Sequence, residues 1–236
     1  WIDSLCFSAY SGLVQAYEEM GDYDNAISTY LKFISIHPNN AVLHSNIANL
    51  YFMKGEYEQA VSHYQSAITL NPKQDWTSIV AQTLGYVQQN VIKNTDAAIE
   101  AFQAAYLLTP KELDIYISLG SAFYDKEDYK NALIIYRRAL ELEPNNAKIH
   151  CNLGYLYWGM GELTEAVKEY ELSIKNDPGY AIAHNNLGVI YLDDLAHIQK
   201  AADCFRAAIA ANPNYALAYY NLARSLSIKG EKVEAA

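Results

Sequence analysis

The sequence predicts an all-α fold, a solenoid of antiparallel helix pairs. Three observations carry the prediction. The six prolines stand at 38, 72, 110, 144, 178 and 213, spaced by 34, 38, 34, 34 and 35 residues, so every proline occupies one position of one repeat. A period near 34 is a mark of stacked helix pairs. Between prolines the apolar residues recur at helical spacing, in two runs per repeat separated by a turn, commonly at glycine.

The stretch from Ala147 to Pro178 shows why each run is a helix. Leu153, Gly154 and Tyr157 share one face of a first helix, and Gly161 ends it, since glycine takes the left-handed cap without steric cost. Ala166, Tyr170 and Ser173 share one face of a second helix, which Pro178 stops because proline lacks the amide and clashes with the preceding turn. Gly154 and Ala166 are small enough to let the two helices approach closely, and Tyr157 and Tyr170 fill the space around them.

The same positions recur along the chain. The Leu-Gly pair appears at 84–85, 119–120, 153–154 and 187–188, softened to Leu13-Val14, Ile47-Ala48 and Leu222-Ala223. The second-helix alanine is Ala26, Ala60, Ala98, Ala132, Ala166 and Ala201, and an aromatic stands four residues after each. This order resembles the tetratricopeptide repeat, over nearly the whole chain. The resemblance implies a right-handed superhelix whose concave wall, lined by the first helices, holds extended peptides or partner helices. One departure stands out: the slot where the family places tryptophan holds Tyr10, His44, Tyr116, His150, His184 and Tyr219.

In chain order, the expected repeats are 7–40, 41–74, 75–112, 113–146, 147–180, 181–215 and a partial seventh at 216–236. Residues 1–6 read as a lead-in or the tail of an earlier repeat. Asn-Asn after Pro38 and Pro144 supplies N-caps for the next first helices. The third repeat is irregular, with about three extra residues near Lys73–Thr77 and one in the Asn90–Asp96 turn; the sixth has one extra in Asp193–Gln199. Such insertions map to loops, and Trp76, inside the first, is expected to pack over the neighbouring repeat. The seventh repeat is expected to run from Ala216 to Ile228, turn at Gly230 and begin a second helix. Because the chain starts at Trp1 and stops inside that repeat, it reads as a fragment. More protein, or a second copy, is expected to cover this end.

A net charge of −10 and a pI near 5.0 disfavour nucleic acid, which needs a basic surface to release counterions, and a surface for anionic lipid. No apolar run approaches the roughly 20 residues of a membrane span. Cys6, Cys151 and Cys204 lie far apart with no metal or disulfide spacing, and read as small buried hydrophobes. They favour a reducing compartment and so the cytoplasm.

Candidate binding residues come from the first helices. Two residues before each glycine or its replacement stand Asn46, Asn152, Asn186 and Asn221, with Ser118 in the fourth repeat; Gly12 and Thr83 break the series. An asparagine amide offers donors and an acceptor, which matches one peptide unit of a bound main chain. The row resembles the asparagine ladder of the tetratricopeptide superhelix in O-linked N-acetylglucosamine transferase. The plainer alternative is that these asparagines contact neighbouring helices. Tyr124, Tyr155, Trp158, Tyr220 and Arg224 lie one turn away on the same wall, and aromatics and arginine are frequent binding anchors. They mark the C-terminal half as the expected binding half.

Other chemistries fare worse. The carboxylate clamp of co-chaperones needs lysines where Ser11, Val42 and Asp114 stand; Lys148 alone fits. His44, His150 and His184 sit at one slot of different first helices, and even neighbouring first helices are on the order of 10 Å apart, too far to share a metal. Asp193 and Asp194 read as solvated turn charges. The expectation is therefore a non-catalytic scaffold, without cofactor or metal, that binds a protein or peptide in its concave groove. The alternatives are the targeting arm of a larger, glycosyltransferase-like enzyme, and a scaffold that self-assembles through the C-terminal end.

Overall fold

The computed structural model describes residues 2–71 and 75–234, and side chains over 8–71 and 76–230. Among the described residues there are thirteen α-helices and no strand: α1 (Ile2–Glu19), α2 (Tyr23–Ile36), α3 (Ala41–Lys54), α4 (Tyr57–Leu70), α5 (Asp75–Val87), α6 (Thr95–Leu108), α7 (Leu113–Asp125), α8 (Tyr129–Leu142), α9 (Ala147–Gly159), α10 (Leu163–Asn176), α11 (Ala181–Val189), α12 (Ile198–Ala211) and α13 (Ala216–Glu234). They divide into two compact units, residues 1–122 and 123–236. Within each unit, sequential helices pack in pairs, as α3 on α4, α5 on α6, α9 on α10 and α11 on α12.

The repeated small residues sit where the pairs cross. All six second-helix alanines, from Ala26 to Ala201, are fully buried. A Cβ on Gly85, Gly154 or Gly188 would come within 2.5, 2.8 and 2.6 Å of the rings of Phe102, Tyr170 and Phe205. Glycine is therefore the packing partner of the aromatic that recurs on the second helix. In residues 1–122 the core runs from Val14, Tyr30 and Phe33 through Leu43 and Ile47 to Tyr64, Leu84 and Ile115. In residues 123–236, Phe205 packs with Leu192 and Ala201, and Ile149, Leu156 and Tyr170 are fully buried.

Turns obey one rule. The residue after each first helix takes a left-handed conformation, at Gly21, Gly55 and Gly161 (φ +71°, +83° and +78°) but also at Lys93, Glu127 and Ala196 (φ 65°, 60° and 53°). Asn40 and Asn146 cap α3 and α9 by accepting backbone N–H groups, as the Asn-Asn pairs require. Asp22, Asn94 and Asp128 do the same for α2, α6 and α8.

Three expectations are corrected. The single-residue insertions do not lie in open loops. Each is absorbed by a π-helical turn that extends the first helix, Gln88–Ile92 after α5 and Ile190–Asp194 after α11. Trp76, in the first turn of α5, packs as expected on the neighbouring repeat, partly buried against the core that holds Ala48, Ala60 and Tyr64; residues 72–74 of that insertion lie outside the described residues. Residues 2–6 are not a lead-in, because α1 runs unbroken from Ile2. Finally, α13 passes through Gly230 to Glu234 without a turn. One glycine inside a helix costs about 1 kcal/mol, too little to end it alone.

Candidate functional site

In four repeats the first helix is tied down by the slot where the family places tryptophan. His44, Tyr116, His150 and His184 each reach back six residues to the carbonyl of Pro38, Pro110, Pro144 or Pro178, at 3.2, 2.6, 3.0 and 3.0 Å. The ring donor satisfies a carbonyl left over where the previous repeat's second helix has stopped. His44 also meets His63, Nδ1 to Nδ1 at 3.0 Å, and His150 meets Glu169 at 2.7 Å. These histidines join helices to junctions, a structural use of the ring.

The asparagine register is placed unevenly. Asn46 is half-buried, and its amide reaches the Tyr30 hydroxyl at 3.4 Å, leaving its carbonyl oxygen open. Ser118 donates to the Asp114 carbonyl of its own helix at 2.9 Å. Asn152 makes no hydrogen bond within the described residues. Asn186 accepts a long bond from Asn185 at 3.4 Å and lies beside the Tyr170 hydroxyl, which is buried without a well-formed partner. Asn221 leaves the row altogether: it is 5% exposed, and its amide donates to Asn185 at 3.0 Å. A neighbouring asparagine of the previous repeat has claimed it, so it cannot face a ligand.

The aromatic and arginine candidates are brought together, but largely by one another. Tyr124 packs on Tyr155 with ring centroids 4.9 Å apart, and Tyr155 meets Trp158 edge-on at 6.0 Å. Burial and the Tyr155 hydroxyl push the Tyr124 phenol up to about 12. The Trp158 indole N–H donates to Asp194 at 3.0 Å. Arg224 is held by Asp193 through both terminal nitrogens, at 3.0 and 2.5 Å. Asp193 and Asp194 are exposed to solvent, as expected of turn charges, yet each holds a partner. From one π-helical turn they reach the first helices of the preceding and following repeats, α9 and α13. Tyr220, 66% exposed, makes no side-chain hydrogen bond or ring contact among the described residues. Residue types do not reveal these bonds; the one-residue insertion at 193–199 was the available signal that this turn is unusual.

Sequence reasoning missed the opening that exists in residues 1–122. Two hollows border α5. One, of about 300 Å³, is lined by Val42, Ser45, Asn46, Trp76, Ile79 and Val80. The other, of about 370 Å³, is lined by Phe52, Gln82, Thr83, Tyr86, Phe102 and Ser118. The register residues Asn46, Thr83 and Ser118 therefore do face open space on the first-helix wall. The cysteines offer little reactivity: burial pushes the thiols of Cys151 and Cys204 up to about 12 and about 11, so both stay protonated at neutral pH. The side chain of Cys6 lies outside those described.

Tandem helix pairs with small residues at every crossing define a helical repeat protein. Models described as tetratricopeptide repeat match residues 41–74, 147–180, 181–215 and 204–236, and one described as TPR repeat matches 15–55 and 120–161. The chain belongs to the tetratricopeptide repeat family, whose members serve as protein-interaction scaffolds and are typically non-catalytic. No curated protein matches it. Among solved structures it is similar to the MamA protein (TM-score 0.64, 23% identity, covering 75% of this chain and 94% of that one). It is also similar to the C-terminal part of a TPR repeat-containing protein from Cytophaga hutchinsonii (0.70, 20%, 90% and 86%). A third is YrrB, described as a TPR protein with an unusual peptide-binding site (0.57, 27%, 81% and 96%). Among the described residues no helix is long and apolar enough to cross a membrane.

Proposed function

We propose that this chain is a non-catalytic scaffold that holds a peptide segment of another protein against the wall formed by its first helices. One observation carries the reading: among the described residues, register side chains keep unused hydrogen-bonding capacity, the whole side-chain amide of Asn152 and the carbonyl oxygen of Asn46. A bound extended chain needs such groups for its own N–H and C=O. The likeness to YrrB, at 27% identity, supports the reading. Asn46, Ser118, Asn152 and Asn186 are the residues assigned to the main chain. Trp158, Tyr155 and Tyr124 form an aromatic border, and Tyr220 is an open anchor. The test is the triple variant Asn46→Ala, Asn152→Ala, Asn186→Ala. Affinity for a bound peptide falls by about 1 kcal/mol for each paired group lost; a change within twofold overturns the asparagine grip.

A second reading, self-association, is favoured by α13. Leu217, Tyr219, Tyr220 and Leu226 are each more than two-fifths exposed on it. Tyr219 occupies the slot that buries Tyr116 and His150 elsewhere. Sedimentation at two concentrations separates a monomer from a self-associating chain.

A further inference from the structure

We infer that the wall of α3, α5 and α7 within residues 1–122 takes an extended, basic peptide that seats two apolar side chains three residues apart. The inference rests on the scaffold reading above and gives it a place and a ligand chemistry. Helix α5 presents a stripe of Trp76, Ile79, Thr83 and Tyr86 at helical spacing. Ile79 is 64% and Tyr86 57% exposed, large apolar groups that this chain leaves in water. The two hollows open at the two ends of the stripe, one beside Ile79 and one beside Tyr86, and at about 300 and 370 Å³ each has room for a large side chain.

Spacing and polarity then choose the occupant. Seven residues of helix separate Ile79 from Tyr86, about 10 Å along the axis. An extended chain of polyproline II type advances about 3.1 Å per residue and returns every third side chain to one face, so the hollows match side chains three apart. Hydrogen-bonding groups lie among them. The Ser45 hydroxyl and the Gln82 amide make no hydrogen bond within the described residues, and the Asn46 carbonyl oxygen is open. A helical partner has already paired its main chain and has no use for these groups, whereas an extended one requires them.

Charge sets the flanks. Residues 1–122 contain 12 acidic and 5 basic side chains, a net of −7, and no arginine; residues 123–236 contain 15 and 12, a net of −3. Among the described residues, none that lines either hollow is charged. The anchors are therefore apolar and the flanking residues lysine or arginine, drawn by the field of the unit. The C-terminal candidates are spent on internal partners, Arg224 on Asp193, Trp158 on Asp194 and Asn221 on Asn185.

The experiment is selection from a phage-displayed library of random twelve-residue peptides with the full chain as bait, and then fluorescence anisotropy on the leading synthetic peptide. The expected winners carry two apolar residues three apart between lysines or arginines. Their affinity falls at least tenfold with Ile79→Ser or Tyr86→Ser, and at least threefold between 50 and 300 mM NaCl. Both positions are exposed, and thermal melts confirm folding of the variants. Replacing the peptide's two apolar residues by alanine gives the same loss without touching the protein. Winners that are acidic, or that bind Ile79→Ser and Tyr86→Ser as well as the parent, overturn this placement and leave the scaffold reading standing. A library that yields no binder overturns both.

Discussion

Asp193 grips Arg224 from 31 positions away in the sequence while its neighbour Asp194 takes the indole N–H of Trp158, 36 positions back. Two adjacent carboxylates on one π-helical turn so tie α9 and α13 to the end of α11. One extra residue rotates the downstream part of a helix by about 100°, and the π turn is where this chain accommodates that residue.

Removing this tie has a bounded effect. The Arg224 and Asp193 side chains are 41% and 34% exposed, so solvent screens the pair. Arg224→Ala lowers stability by about 0.5–1 kcal/mol in urea unfolding. A double-mutant cycle with Asp193→Ala returns a coupling of about 1 kcal/mol or less, shrinking at 0.5 M NaCl. A coupling above about 2 kcal/mol contradicts the solvent-screened picture.

Ala196 offers a gain. It holds a left-handed φ of 53° at the slot where Gly21, Gly55 and Gly161 stand in other repeats. That conformation costs a residue with a Cβ about 1–2 kcal/mol, against roughly 0.4–1 kcal/mol of extra unfolded-state entropy for glycine. Ala196→Gly is therefore expected to raise the unfolding midpoint slightly, and Gly161→Ala to lower it by about 1 kcal/mol. The two melts run side by side are the check, and opposite signs are the expected result.

Tyr170 is fully buried, and its hydroxyl lacks a well-formed partner. Phe102 and Phe205 fill the equivalent positions of other repeats without one. Tyr170→Phe removes an unsatisfied polar atom and keeps the ring over Gly154, so stability stays level or rises by up to about 1 kcal/mol. A clear loss on thermal denaturation would assign the hydroxyl a bond to Asn186.

His63 makes stability depend on pH. Burial, and then the charge of His44, hold its imidazole below the usual 6.5. The folded form therefore favours the neutral ring, and below pH 6.5 the unfolded chain binds the extra proton. The contribution is present above pH 6.5 and is lost as pH falls through the lower folded value. The parent chain loses more stability between pH 7.5 and 5.5 than His63→Gln does, as differential scanning calorimetry at the two pH values measures.

The fold was legible because its determinants are local and repeated. A glycine beside a ring, an alanine at a crossing and a proline at a stop leave the same mark every 34 residues or so. The illegible part depends on distant partners. Asn221 belongs to the register by spacing, yet Asn185, a residue with no special place in the repeat, captures it. Asp193 and Asp194 are solvated turn charges, and only the packing of α9 and α13 brings Trp158 and Arg224 within their reach. A single extra residue can extend a loop or bulge a helix, and its neighbours' packing decides which. Binding residues were sought where asparagines and aromatics were dense, in the C-terminal half. Such side chains also find each other there, and the opening lies where Ile79 and Tyr86 lack that company.

The rings bonded to the proline carbonyls have a practical consequence. His44, Tyr116, His150 and His184 each bridge the end of one hairpin and the start of the next. Anyone trimming or recombining this array should leave those six-residue bridges whole, and should spare the left-handed glycines too, since a cut there parts a packed helix pair and separates His44 from His63 or His150 from Glu169.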